Sequence, residues 1–284
     1  MDGAGLWEVL RGEFPPHDVP YLDREPEIPP GGRRHLALVL AYAGGEFSGW
    51  QVQPGTHTLQ GELEAALARL CDQPVRLHAS GRTDAGVHAL GQVASFATSS
   101  LLETGKMARG LRALLPDGLH LRALGLVPPE FHARYSAQAK TYDYYLWPQA
   151  GPSLFLRGRL WALPQALDAQ AMDSALALLP GPRDLKAFAS QGSEAGGSSL
   201  RTILETRLEA RPDAPWRVRI TATGFLRHVV RNLVGSLTQV GSGRLPPRAL
   251  AEMFAAGRRL HPGPKAPPQG LYLARVYYTP WPGP

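Results

Sequence analysis

The chain has 284 residues, 44% of them hydrophobic, which suffices for one large domain or two moderate ones. Its 30 Lys and Arg residues outnumber 24 Asp and Glu residues, and the net charge of +6 favours polyanions such as nucleic acid without indicating a sequence preference. No apolar run approaches the ~20 residues of a membrane helix, and no secretion-signal pattern opens the chain. A lone cysteine excludes an intrachain disulfide. We therefore expect a cytoplasmic protein without a membrane partner.

Residues 1–33 differ from the rest of the chain because prolines interrupt them repeatedly and no long periodicity follows. Leu6–Leu10 has room for one helical turn. We interpret this stretch as a flexible extension or strap outside the folded core, and an arm that contacts RNA or a partner is the less favoured alternative.

Residues 34–130 predict the order β-α-β-β-α-β and form the N-terminal half. The first helix carries leucines at helical spacing on one face and has Thr58 as a cap. The elements are a strand at His35–Tyr42, a helix at Leu59–Leu70, strands at Val75–Ala79 and near Gln92–Ala97, a helix through Met107, Leu111 and Leu115, and a strand at Leu119–Val127.

Residues 131–284 form the C-terminal half, and their pattern predicts a repeat of that order, so the chain predicts an α+β fold of two ferredoxin-like units. The stretch Ser190–Ser199 is a loop without an assigned role. The elements are a strand at Tyr142–Trp147, a helix capped by Asp168, strands at Ile203–Glu209 and Trp216–Thr223, helices at Phe225–Val240 and from Pro247 to about Gly257, and a strand at Leu271–Tyr278.

The strongest chemical signal is the loop Ser80–His88, in which Asp84 lies between two glycines and two residues from Arg82. Glycines allow a backbone to turn tightly and to approach a ligand closely. A carboxylate beside a guanidinium stays ionised and can act as a nucleophile or a base. The alternative is structural, because an Asp in a glycine-flanked turn commonly binds its own backbone.

The string SGRTDAGVHALGQV, which contains Asp84, closely resembles the signature of the tRNA pseudouridine synthase A family. Three later segments resemble the same family in the same order: Phe131–Ala137 running into Lys140–Tyr144, His228–Leu237, and Gly270–Leu273. The resemblance covers almost the whole chain from about Arg34 onward. Four such segments in order make it specific.

The resemblance implies two ferredoxin-like (RRM-like) halves that share a mixed, mostly antiparallel central sheet with a cleft between them. It implies an isomerase that converts uridine to pseudouridine in the anticodon arm of tRNA, at positions 38–40. The reaction breaks the C1′–N1 bond, turns the base and joins C5 to C1′, so it needs no redox cofactor, metal or ATP. A homodimer is also implied, since one tRNA can span two subunits.

Four residues of this chain match functional positions of the family. Asp84 corresponds to the catalytic aspartate, which acts either by attacking the nucleoside or by promoting a glycal. Arg231 corresponds to the arginine that pairs with this aspartate, and Tyr142 to a tyrosine that stacks on the displaced uracil and assists proton transfer. Arg82 corresponds to a residue that helps to extrude the target base or holds nearby RNA.

Other residues near these motifs have weaker assignments. We expect Thr83 and His88 to shape the Asp84 loop, with His88 as a base the minor alternative. Basic residues of the later motifs are candidate phosphate contacts, although a generic surface role is equally compatible with each. These are His132, Arg134, Lys140, Arg227 and His228.

Two other function classes compete with the isomerase. A non-catalytic RNA-binding protein on ferredoxin-like units would need basic and aromatic sheet faces but no Asp84, Tyr142 and Arg231 set. A glycosidase or nucleosidase would generally need two carboxylates around the scissile bond, whereas Asp117 and Asp143 lack supporting context.

Overall fold

A computed structural model describes residues 18–23, 31–149, 151, 154–190, 198–261 and 263–280 of the chain. In this part of the chain ten strands and five α-helices form, which confirms the α+β class. The predicted turn at Leu6–Leu10 lies outside the described residues, as do most of residues 1–33 and of the Ser190–Ser199 loop. No helix of the described residues combines the length and apolarity needed to cross a bilayer.

The described residues divide into two compact units. The N-terminal unit contains those up to Gln138 together with Leu273–Pro280, and the C-terminal unit contains those of Ala139–Tyr272. The half boundaries expected at residues 33 and 130 stay predictions.

The N-terminal unit follows the predicted order of elements. Its sheet has the strand order β4-β1-β3-β10, with β2 beside β3, and β1 is antiparallel to both β3 and β4. The second strand is shorter than the predicted Val75–Ala79. The elements are β1 (Arg34–Tyr42), α1 (Leu59–Cys71), β2 (His78–Ala79), β3 (His88–Thr98), α2 (Thr104–Leu114), β4 (Leu119–Val127) and the last five residues of β10 (Leu271–Tyr277).

Alternating apolar residues build the core of this unit. Leu36, Leu38 and Leu40 share one face of β1 and are completely buried, and the other face of this strand is buried as well at Ala37 and Val39. Leu59, Leu63 and Leu67 of the predicted α1 stripe are completely buried, and Leu70 is half-buried. The Thr58 hydroxyl accepts a hydrogen bond from the Gly61 amide at 3.3 Å, which confirms the cap.

The C-terminal unit has the strand order β5-β9-β8-β7, with β6 parallel to β5. Sequence patterns missed β6 and β7, because three or four residues are too few to show a period of two. The elements are β5 (Ala139–Pro148), β6 (Trp161–Leu163), α3 (Ala169–Ala177), β7 (Gly181–Asp184), β8 (Leu200–Glu209), β9 (Trp216–Ala222), α4 (Val229–Gly241) and α5 (Ala249–Ala255).

Helix α4 begins four residues later than the sequence predicted. His228 has a φ of +67°, in the left-handed region that an α-helix cannot include, so the helix starts at Val229 rather than Phe225. The predicted cap of α3 is confirmed, because the Asp168 carboxylate accepts from the Ala171 amide at 3.0 Å.

The short described segment at residues 18–23 packs on the N-terminal unit. The Leu22 amide donates to the Leu126 carbonyl at 2.8 Å. The ring of Tyr21 occupies the place of a side chain at Gly125, where a Cβ would lie 2.4 Å from the ring. The Asp18 carboxylate accepts from the Tyr278 amide at 2.9 Å, and from the Thr279 amide and hydroxyl at 2.8 and 2.6 Å.

Replacing Asp18 by alanine should lower the free energy of unfolding by about 1–2 kcal/mol, because two backbone donors lose their acceptor. Burial raises the pKa of Asp18, but these hydrogen bonds outweigh it and hold the pKa below its ordinary value. The stabilisation is therefore present above the ordinary carboxyl pKa and is lost as pH falls through the lower folded-state pKa. Thermal unfolding measures both effects. Asp23→Ala, at a neighbouring exposed acid, is the control, and equal melting temperatures for the two variants would contradict the assignment.

Candidate active site

Asp84 lies in the N-terminal unit, on the loop of residues 80–87 that joins β2 to β3; we call this segment the Asp84 loop. Asp84 is half-buried and Arg82 is exposed. The two predicted residues share this loop, as their separation of two positions requires. An exposed arginine next to a half-buried carboxylate suits a site that meets a large anionic ligand from solvent.

A buried polar network supports the Asp84 loop from beneath. The hydroxyls of Tyr42 and Thr83 lie 2.8 Å apart. The Gln92 amide donates to the Tyr42 hydroxyl at 3.3 Å and to the Gly81 carbonyl at 2.8 Å, and the Ser80 hydroxyl donates to the Gln92 side-chain carbonyl at 2.7 Å. Burial raises the pKa of Tyr42 to about 12, so its hydroxyl remains neutral. Tyr42 through Thr83 and Gln92 through Gly81 together hold the loop on both sides of Arg82.

Direct backbone packing fixes the other side of the loop. The Gly86 amide donates to the Gly44 carbonyl at 3.2 Å, and the Gly44 amide donates to Nδ1 of His88 at 3.1 Å. A Cβ on Gly44 would lie 2.0 Å from the Val87 carbonyl oxygen, so only glycine fits. His88 is buried in this contact, and its predicted part in shaping the loop is confirmed, as is that of Thr83.

A second glycine contact holds the residue before Asp84. Gly49 has a φ of +90°, and a Cβ there would lie 2.9 Å from the Thr83 carbonyl. The same carbonyl accepts from the Trp50 amide at 3.0 Å, and the Trp50 side chain is almost fully buried. Nothing in the sequence indicated that Gly49 and Trp50 contact the residue before Asp84.

Tyr142 lies on β5 of the C-terminal unit and is 9% exposed. The rings of Tyr142 and Phe225 form a T-shaped pair, with their centroids 5.1 Å apart and their planes at 86°. This is a favourable aromatic geometry. Tyr144, two residues along the same strand, is fully buried and donates its hydroxyl to the Pro267 carbonyl at 2.9 Å. The hydroxyl of Tyr144 thus has a structural partner.

Arg231 lies in the first turn of α4, and although the sequence puts it on the polar side, the structure leaves it only 7% exposed. Its Nε donates to the Ala266 carbonyl at 2.7 Å, and the Ala266 amide donates back to the Arg231 carbonyl at 3.1 Å. A Cβ on Gly235 would lie 1.6 Å from the Pro264 carbonyl oxygen, so glycine is what allows this segment to reach the helix. Nothing in the sequence indicated Ala266 as a partner.

The buried guanidinium also affects a neighbouring phenol. Burial raises the pKa of Tyr144 far above its ordinary value, and the positive charge of Arg231 offsets part of that rise. Tyr144 and Arg231 therefore lie within electrostatic range of each other inside the C-terminal unit.

The second acid considered from sequence, Asp143, has a structural role. Its carboxylate, 2% exposed, accepts two hydrogen bonds from the Arg219 guanidinium at 2.8 Å each, the bidentate geometry of a strong ion pair. Asp143 and Arg219 are register partners on β5 and β9. The described residues include no group of His, Cys, Asp and Glu suited to hold a metal ion.

The predicted site residues thus divide between the units. Arg82 and Asp84 share the Asp84 loop of the N-terminal unit, and Tyr142 and Arg231 belong to the C-terminal unit. The pairing of Asp84 with Arg231 stays a prediction.

Comparison with known proteins identifies many similar chains. The family model described as tRNA pseudouridine synthase matches residues 38–136 and 175–279, more than half of the chain. The tRNA pseudouridine synthase A of Gloeobacter violaceus is 42% identical over 87% of this chain and 81% of its own length. Those of Maridesulfovibrio salexigens and Geobacillus kaustophilus are 41% and 40% identical, each over 86% of this chain and over 90% and 95% of their own lengths.

The fit at Gly44 leads to a prediction. Gly44→Ala should lower the free energy of unfolding by about 1–3 kcal/mol, because the added Cβ forces the Val87 carbonyl and the Asp84 loop to move. Gly45→Ala is the matched control, since a Cβ there meets nothing within 4 Å. Denaturant unfolding of the two variants tests this, and equal stability would show that the loop accommodates the methyl group.

Proposed function

Because this chain belongs to the tRNA pseudouridine synthase family, it is an isomerase that converts uridine in tRNA to pseudouridine, and we propose that it acts on the 3′ side of the anticodon loop and the adjoining stem, at positions 38–40. The observation that carries the site assignment is the Asp84 loop, whose sequence lies within the matched region and whose backbone is fixed from two sides. Target positions that differ in sequence context favour recognition of RNA shape and backbone over base edges.

The chemistry requires one bond to break and another to form on the same ribose carbon. The C1′–N1 bond breaks, the uracil turns, C5 bonds to C1′, C5 loses its proton and N1 gains one, so the elemental composition does not change. Asp84 begins this sequence through its carboxylate, either by attack on the nucleoside or by assisting formation of a glycal. In both routes the carboxylate must be ionised and positioned before the substrate arrives.

The supports of the Asp84 loop favour this role. A reactive group must be held close to its productive position, and the Tyr42, Gln92 and Gly44 contacts restrict the backbone on both sides of Asp84. In our proposal Arg231 is the cation that pairs with this carboxylate. Its Nε is oriented by the Ala266 carbonyl, and we assign its terminal nitrogens as donors to Asp84.

The remaining two residues act on the base in this proposal. Tyr142 presents its ring to the displaced uracil and assists the transfer of the C5 proton, and the adjoining Phe225 fixes the ring orientation. Arg82, exposed on the Asp84 loop, helps to draw the target nucleotide out of its stack.

We also propose that the protein works in the cytoplasm as a homodimer. The lone cysteine, Cys71, is buried and needs no oxidising compartment. The dimer rests on the family resemblance, and light scattering of the purified chain measures its mass directly; a monomer at working concentration would refute it.

One assay separates the isomerase from the other two classes. Unmodified tRNA incubated with the protein and no cofactor should yield pseudouridine in RNA of unchanged mass. A hydrolase would release uracil, and a binding protein would give neither product. The bidentate ion pair of Asp143 with Arg219 already counts against Asp143 as a second reacting carboxylate.

The first mutational prediction concerns Asp84. Asp84→Asn should reduce kcat on the order of 10³-fold or more, because the amide cannot replace an ionised carboxylate. The fold and most of the tRNA affinity should remain. Asp117→Asn, at an exposed acid of the same unit, is the control and should leave kcat unchanged. Single-turnover formation of pseudouridine is the readout, and normal turnover by Asp84→Asn would end the assignment.

The second mutational prediction concerns Arg231. Arg231→Lys should lower kcat on the order of 10–100-fold, because an ammonium cannot both donate to the Ala266 carbonyl and grip a carboxylate in a planar fork. Arg258→Lys, at an exposed arginine, should have no effect. If kcat of Arg231→Lys stays within twofold of the parent, direct pairing with Asp84 is wrong.

A further inference from the structure

A cavity of about 420 Å³ in the N-terminal unit has no part in the chemistry proposed above. Its walls come from the start of β1, the approach to β2, the later half of β3 and the segment at residues 129–132. Ser95 of β3 lines it, whereas His88 at the other end of β3 touches the Asp84 loop. Seven residues of strand separate the two, which is about 20 Å. A ligand in the cavity therefore does not occupy the place of the reacting uridine.

Five of the thirteen residues that line this cavity have basic side chains, and we call it the basic cavity. Its lining residues include Arg33, His35, Arg76, His78 and His132. One lining residue, Glu130, is acidic. The Glu64 carboxylate of α1 lies 3.7 Å from the Arg76 guanidinium. It also accepts a hydrogen bond from the Leu77 amide at 2.9 Å, so its negative charge is divided between these two groups. The excess of cationic and imidazole groups favours an anion.

The imidazoles give the basic cavity hydrogen-bond donors. The rings of His78 and His132 lie 5.0 Å apart. Nδ1 of His132 accepts from the Arg134 amide at 3.1 Å, so the neutral ring carries its proton on Nε2. Burial lowers the pKa of His132, and the positive charges of His78 and Arg134 lower it further. A bound phosphate would oppose that effect, because an anion favours the protonated ring.

An exposed aromatic ring stands at the rim. Tyr135 is 76% exposed, and its ring packs against that of His132 at 4.4 Å between centroids. The Arg134 guanidinium lies 5.6 Å from the same ring centroid. Exposed aromatic faces next to cations are the usual platforms on which unpaired bases stack.

We propose that the basic cavity binds a backbone phosphate of the RNA substrate, about 20 Å along β3 from His88, and that Tyr135 stacks on an adjoining base. The proposal rests on the proposed function in taking tRNA as the ligand. The cavity has arginines and imidazoles from three separate segments, which suit a phosphate, and the exposed Tyr135 ring suits a base. The separation from His88 suits a substrate much larger than one nucleotide.

Removal of charge tests the proposal. Arg76→Ala/His78→Ala changes two exposed residues and should weaken binding of an unmodified tRNA transcript about tenfold at moderate salt. The slope of log affinity against log salt should fall by about one to two, and kcat at saturating tRNA should not change. Arg69→Ala/Arg109→Ala, at exposed arginines of α1 and α2, is the charge control and should change affinity less than twofold.

A pH series gives an independent readout. Affinity of the parent protein for tRNA should rise as pH falls from about 8 to 6, because protonated imidazoles bind phosphate more strongly. His78→Gln/His132→Gln should lose most of that rise. If Arg76→Ala/His78→Ala does not fold, Arg76→Gln/His78→Gln replaces it in the charge-removal test. If the parent forms pseudouridine while these variants bind tRNA as the control does, the cavity proposal is overturned and the proposed function stands. If the parent binds tRNA through the cavity but forms no pseudouridine, the cavity proposal stands and the proposed function is overturned.

Discussion

The contact of glycine backbone with the Asp84 loop is the constraint on which the candidate site depends. At Gly44 and Gly49 no room exists for a β-carbon, and the neighbouring carbonyls of Val87 and Thr83 fill the space. Such contact restricts the position of the loop, because backbone packed directly on backbone has little freedom to move. The polar network of Tyr42 and Gln92 then defines how the loop lies on the sheet. A loop so restricted does not have to be ordered by a ligand.

The C-terminal unit uses the same physical device for its arginine. Gly235 allows the Pro264 carbonyl to approach α4, and the Ala266 carbonyl then meets Nε of Arg231. A buried guanidinium is costly unless its N–H groups are bonded, and a backbone carbonyl is a partner that does not titrate. Tyr144, held by the Pro267 carbonyl, packs in the same neighbourhood. In both units, a glycine that lies close to a backbone carbonyl thus helps to position the segment that carries a charged residue.

Sequence patterns predicted the elements with strong periodicity and failed where a single backbone angle decided the outcome. The leucine stripe of α1 and the caps at Thr58 and Asp168 follow from local chemistry, so they were readable. The start of α4 could not be predicted, because the side chain of His228 does not indicate a positive φ. Motif resemblance predicts Asp84, Tyr142 and Arg231 as site residues, but the groups that hold them depend on long-range packing. Ala266 presents only its carbonyl, which every residue possesses, and so no pattern could single it out.

The last strand has a consequence for how the protein is made. Residues 273–277 of β10 lie in the N-terminal unit, yet the ribosome produces them more than a hundred residues after Gln138. During that interval the edge of β3 around Gly91, where the backbone of Ala274 finally lies, has no neighbour. An open strand edge invites pairing with other chains, and closure over so long a loop is slow. The N-terminal unit therefore completes its sheet only after translation of nearly the whole chain, and nascent copies are most vulnerable to aggregation before that moment.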